Sequence, residues 1–224
     1  MESAASVSAD PMRREVTAET LNQWTHGFGC ALALVGTAIM IPTAVRSGSP
    51  WLIVGATVYC LTLIGVYLYS TLSHSFEDPV RRRFYRMMDQ VCIFLLAAGS
   101  YTPFGLAHAS NRWATALLVG MWAVALLGCY LRIRKSERTM GVTMFVLLGW
   151  MPLLAIPQLL METHLRGFLL VMAGGVAYTG GLYFLLNDSR KTYFHAIWHL
   201  ATITGSACHF LFHLWYVVGT PTAA

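Results

Sequence analysis

Charge is what this 224-residue sequence has least of. Asp, Glu, Lys and Arg make up only 11% of it, against about 25% in an ordinary soluble domain, while hydrophobic residues reach 56%. So few charges cannot cover a surface that faces water, which argues against a soluble enzyme, a disordered regulator or a nucleic-acid module. The period-two alternation of a membrane barrel is missing too: runs such as Val91–Ala98 and Phe168–Val171 are apolar on every side. No two of the five cysteines (Cys30, Cys60, Cys92, Cys129 and Cys208) have CxxC spacing, and all fall within or at the ends of apolar stretches. They read as small apolar residues rather than a disulfide framework or a thiolate metal site. Residues 1–20 contain no apolar core, so no cleavable signal is expected there, and no lipidation signal is expected in Pro221-Thr222-Ala223-Ala224.

What the sequence has instead is long apolar runs with short polar punctuation. Seven membrane helices are expected, near Leu21–Val45, Trp51–Ser73, Met88–His108, Ala114–Leu131, Met140–Leu160, Gly167–Asn187 and His195–Val218. Each is long enough to cross about 30 Å of hydrocarbon at 1.5 Å rise per residue. The expected fold is an all-α integral membrane bundle: a tail over 1–20, a membrane domain over 21–218 and a short tail over 219–224. Pro103, Pro152 and Pro157 are expected to kink the third and fifth segments. Gly174, Gly175, Gly180 and Gly181 suggest close helix packing in the sixth.

The net charge of +5 reflects topology more than an anionic partner. Twelve Lys and Arg fall in the N-terminal tail and the second, fourth and sixth connections: Arg13, Arg14, Arg81, Arg82, Arg83, Arg86, Arg132, Arg134, Lys135, Arg138, Arg190 and Lys191. The intervening connections hold three, Arg46, Arg112 and Arg166. The positive-inside rule then puts the N-terminus in the cytosol and, with an odd number of spans, the C-terminus outside. A nucleic-acid partner has little charge left to explain it; membrane lipids are the expected partners.

Ionisable groups inside apolar segments are costly and so mark function. Seven of the eight histidines lie in or at the edges of the spans: His26, His74, His108, His195, His199, His209 and His213. His195 and His199 stand at i and i+4, one above the other on a helical face, as do His209 and His213. The expected topology separates the two pairs. It brings His74 and Ser70 from the second segment, Asp89 from the third, and His195 and His199 from the seventh to one depth at the cytosolic boundary, with His209 and His213 three to four turns further out. Two arrangements answer to this cluster. One is an open metal site of three imidazoles and a water, in which zinc lowers the pKa of water to about 7, Asp89 accepts its proton and Ser70 orients Asp89 or a substrate carbonyl. The other is a metal-free polar network pinning three helices together.

Ser70-x3-His74, the following Asp89 and His195-x3-His199 resemble the signature of the hemolysin III proteins, the bacterial branch of the progestin and adipoQ receptor family, in a wider superfamily with the alkaline ceramidases. Thr25-His26-Gly27, Gly99-Ser100-Tyr101-Thr102-Pro103-Phe104 and the stretch from His195 to Gly205-Ser206 match as well, so the resemblance covers roughly Glu19 to Val218. It implies seven helices with a cytosolic N-terminus and a zinc ion held by His74, His195 and His199. It also implies that Asp89 holds a metal-bound water, with Ser70 nearby. His26 is expected to pack or support rather than ligate, and Glu19 and Asn22, on roughly its face, to anchor that helix. The functions implied are membrane lipid homeostasis and zinc-dependent hydrolysis of lipid amides or esters in a bacterial inner membrane. The alternatives are a non-enzymatic regulator of lipid state with structural zinc, or a cytolytic pore-former.

Overall fold

A computed structural model describes residues 11–134 and 138–219. Among them are seven α-helices and no strand: α1 (Pro11–Arg46), α2 (Pro50–Ser73), α3 (Pro79–Ala107), α4 (Arg112–Arg134), α5 (Arg138–Trp150), α6 (Ile156–Leu186) and α7 (Phe194–His213). Local chemistry sets their ends. Gly48 takes φ +70° in the α1–α2 turn, a conformation that costs a residue with Cβ, and Pro50 opens α2 where no helical N–H is needed. Asp78 caps α3, its Oδ1 accepting from the Val80 and Arg81 amides at 2.9 and 2.8 Å. Asn111 does the same for α4 through Trp113 and Ala114.

Five stretches are long and apolar enough to cross a membrane: Ala18–Arg46, Pro50–Ser73, Pro79–Ala107, Arg112–Arg134 and Val142–Leu186. The last is interrupted. Pro152 falls in a 3₁₀ stretch, Met151–Ala155, between α5 and α6, and His164 leaves helical geometry at φ 54° inside α6. The expected breaks at Pro152 and Pro157 therefore coincide with the end of one helix and the start of the next. At Pro103, by contrast, α3 runs on, and Gly55 of α2 packs where a Cβ would lie 2.7 Å from the proline Cα.

Helix ends differ from the expected span ends. The helix of α1 starts at Pro11, within the expected tail, and α3 starts at Pro79, so Arg81, Arg82, Arg83 and Arg86 ride on its first turns rather than in a loop. Hydropathy marks where hydrocarbon begins, and a helix continues past that point wherever its backbone bonds and caps allow. Residues 1–10, Lys135 and the expected tail beyond Gly219 lie outside the described residues.

The helices α1, α2, α3, α5, α6 and α7 form a ring, each against the next, with α4 packed on the outside of α3 and α5. The bundle is apolar outward and polar inward. Trp24, Val35, Val119, Leu147, Val176 and Trp215 are exposed, while Asn22, His26, Ser70, His74, Thr102, His199, Thr202, Ser206 and His213 are buried. That inversion suits lipid as solvent. A cavity of about 910 Å³ runs inside the ring.

Candidate metal centre

The side chains of His74, His195 and His199 meet at one end of this cavity. One ligand-capable atom from each lies within 4.8 Å of the others, and no other such group occurs among the described residues. The three rings stand edge-on to one another, with centroids 5.1 Å (His74–His195), 5.3 Å (His74–His199) and 4.7 Å (His195–His199) apart. His195 and His199 share a face of α7 because they are one turn apart; His74 comes from the α2 C-cap.

The second nitrogen of each ring decides what this triangle can do. Nδ1 of His74 lies 2.5 Å from Glu19 Oε2. Nδ1 of His195 lies 3.3 Å from Asp188 Oδ2. Both carboxylates only accept, so each Nδ1 carries the proton. Nδ1 of His199 lies 2.9 Å from Thr25 Oγ1. The Thr25 hydroxyl directs its own hydrogen at the Leu21 and Asn22 carbonyls, so it receives a proton from the ring. In its neutral form each imidazole so held keeps its Nε2 lone pair free, the tautomer that binds metal. A tetrahedral set at 2.0–2.1 Å would place the nitrogens about 3.3 Å apart, inside the 4.8 Å bound within which the three atoms lie. The donor set fits a metal ion.

Sequence reasoning took Glu19 for a helix anchor, Thr25 only as part of a matched tripeptide, and Asp188 not at all. Glu19 is the junction of the site, because its other oxygen pairs with Arg82 at 3.3 Å and Arg86 at 3.4 Å. It ties α1 to α2 and α3. A signal was present: Glu19, Asn22 and His26 fall at i, i+3 and i+7, one face of α1.

Asp89 does not join the three-histidine set; it lines the same cavity, as does Ser70. His26 is not in the set either. Its ring stacks on His199 at a centroid distance of 3.5 Å and 21° between planes, holding that ring flat, and its edge meets Tyr67. The other helical pair, His209 and His213, lines the far end of the cavity and lacks carboxylate or hydroxyl partners.

An all-helical integral membrane protein with a triad of imidazoles on an internal cavity, each backed by an oxygen, is the class these features define. The sequence model for the haemolysin-III related family matches residues 14–210. The chain is 34% identical over 215 residues to "Hemolysin-3" of Bacillus cereus, covering 95% of this chain and 97% of that protein. It is 34% identical over 205 residues to the "Hemolysin-3 homolog" of Bacillus subtilis (91% and 96% covered). Against the human "Monocyte to macrophage differentiation factor" it is 27% identical over 209 residues (90% and 85% covered). The chain belongs to the hemolysin III family, as an integral protein of the bacterial cytoplasmic (inner) membrane.

Proposed function

We propose that this protein is a zinc-dependent hydrolase of lipid amides or esters that acts in membrane lipid homeostasis, its site just inside the cytosolic face of a seven-span bundle. The observation that carries the reading is the set of three close imidazoles with an oxygen behind each Nδ1, which leaves each Nε2 available to a shared ion.

Charge and contact support this topology. Val142–Leu186 is 45 residues long, about 67 Å as helix, twice a hydrocarbon core, so it counts as two crossings divided at His164. The seventh is α7. Contacts sort by end in agreement with this count. Glu19, His74, Arg82 and Arg86 meet at the arginine-rich end. At the other end His108 pairs with Glu162 at 3.4 Å and Trp113 Nε1 donates to the Leu154 carbonyl at 2.9 Å. The N-terminus is cytosolic and the C-terminus external.

Three neutral imidazoles suit zinc, which supplies Lewis acidity and an acidified water when bound. The chain's own groups supply the rest. Ser70, on the same cavity wall, steadies the Asp89 carboxylate, and Asp89 takes a proton from water in the cavity and returns it to the leaving group. Glu19, Thr25 and Asp188 hold the imidazoles in one tautomer and orientation. The apolar walls, Ile93, Phe94, Leu96, Val171 and Leu182 among them, take the acyl chain and exclude bulk water.

Purified protein incubated with a panel of lipid amides and esters is expected to release fatty acid, detected by mass spectrometry, and Asp89→Asn to abolish the release while keeping its metal. Unchanged physiological activity of Asp89→Asn in cells would favour the regulator with structural zinc. Lysis of red cells by purified protein would favour the cytolytic reading that the relatives' name suggests.

A further inference from the structure

The cavity has a second polar end. His209, Phe212 and His213 of α7 and Tyr101 and Phe104 of α3 line it. Ten and fourteen residues of helix separate His209 and His213 from His199, about 15 and 21 Å at 1.5 Å per residue. Tyr101 lies twelve residues beyond Asp89, about 18 Å along α3. The two helices therefore bring these groups to one depth, far from the metal end, across a stretch walled by apolar residues.

Their hydrogen bonds are incomplete. Nε2 of His209 lies 3.3 Å from the Val171 carbonyl, which only accepts, so that nitrogen carries the proton and Nδ1 is a bare acceptor. This Nδ1 is buried without a partner, as are the Tyr101 hydroxyl and both nitrogens of His213. The Ser100 backbone faces His213 without reaching hydrogen-bond geometry. His213 and Tyr101 are 1% and 3% exposed. Buried polar groups are costly when left without a partner, and native proteins satisfy them. The arrangement is also built rather than incidental: Gly174 of α6 lacks the Cβ that would fall into the His209 ring.

We propose that this end is a subsite for a hydroxyl group carried on the acyl chain of the lipid, so that the substrate class is long-chain hydroxylated lipids. A hydroxyl donates to His209 Nδ1 and accepts from Tyr101 or His213, whereas a ketone or ester carbonyl cannot donate and leaves His209 unmet. Extended C–C bonds of about 1.52 Å at about 111° advance about 1.25 Å each, which puts the hydroxyl about 12–17 bonds from the group at the metal end. This rests on the lipid-hydrolase reading for the identity of the metal-end group, not for the existence of the subsite.

The test is binding, measured on full-length protein in nanodiscs with palmitate, ω-hydroxypalmitate and β-hydroxypalmitate. Wild type should bind the ω-hydroxy acid about tenfold more tightly than the other two. Tyr101→Phe and His213→Phe should each erase most of that advantage and leave palmitate binding within twofold; Tyr101→Phe removes a single oxygen and so keeps the test open should His213→Phe misfold. Equal binding of the three acids to wild type, as expected if the groups hold only water, overturns the proposal, and so does an advantage that survives Tyr101→Phe. Fatty-acid release by wild type separates the two readings: an ω-hydroxy preference in wild-type protein that hydrolyses none of the lipid amides or esters leaves the subsite standing and removes only the hydrolase reading.

Discussion

Helix α7 carries the same motif twice. His195 and His199 stand one turn apart, and so do His209 and His213, in the same helix and facing the same cavity. Spacing does not distinguish them; surroundings do. The first pair has a third imidazole from α2 and an oxygen behind Nδ1 of every ring. The second has a backbone carbonyl on one nitrogen of His209 and three nitrogens without partners. An i,i+4 histidine pair in a membrane helix is thus only a geometric opportunity. A metal centre needs the groups that fix the tautomer, and those come from other helices.

The comparison breaks most sharply at the ligands. His74→Ala, His195→Ala and His199→Ala should each reduce bound metal from about one per chain to background, whereas His213→Ala should leave it unchanged, as read by elemental mass spectrometry on folded protein. Equal losses at both pairs would end the distinction. Next in size, Asp89→Asn should lower hydrolysis by about 10²–10⁴-fold, the range for a missing proton acceptor, at full metal occupancy. A parallel loss of metal would make Asp89 a ligand instead.

The supporting oxygens come third. Glu19→Gln, Thr25→Val and Asp188→Asn should each weaken metal affinity about 10–100-fold in a chelator competition. Glu19→Gln should have the largest effect, since Glu19 also holds Arg82 and Arg86. No change in any of the three would contradict the tautomer argument. The smallest effect belongs to the other pair. Gly174→Ala pushes a methyl group against the His209 ring, which should destabilise the protein by about 1–3 kcal/mol in thermal unfolding, with metal content unaffected.

Much of this was legible before any coordinates. Long apolar runs and the alternation of arginine-rich connections made a membrane bundle the only economical reading, and topology brought Ser70, His74, Asp89, His195 and His199 to one end. What hydropathy could not mark was the polar continuation of helices beyond the hydrocarbon. Glu19 lies where α1 extends into the expected tail, and Arg82 and Arg86 lie on the first turns of α3. Asp188 sits in the short 3₁₀ turn before α7. These are the residues that orient the site, and a criterion that searches for apolar residues passes over them. The far subsite was invisible for a different reason: its sign is a hydrogen bond not made, and only side-chain geometry reveals that.

The most direct test of the central claim is X-ray absorption at the zinc edge on purified, folded wild-type protein together with its metal stoichiometry. The account predicts about one zinc per chain with three imidazole nitrogens at about 2.0–2.1 Å and one oxygen. Folded, full-length protein carrying no transition metal, or a metal whose spectrum survives loss of His74, would contradict it.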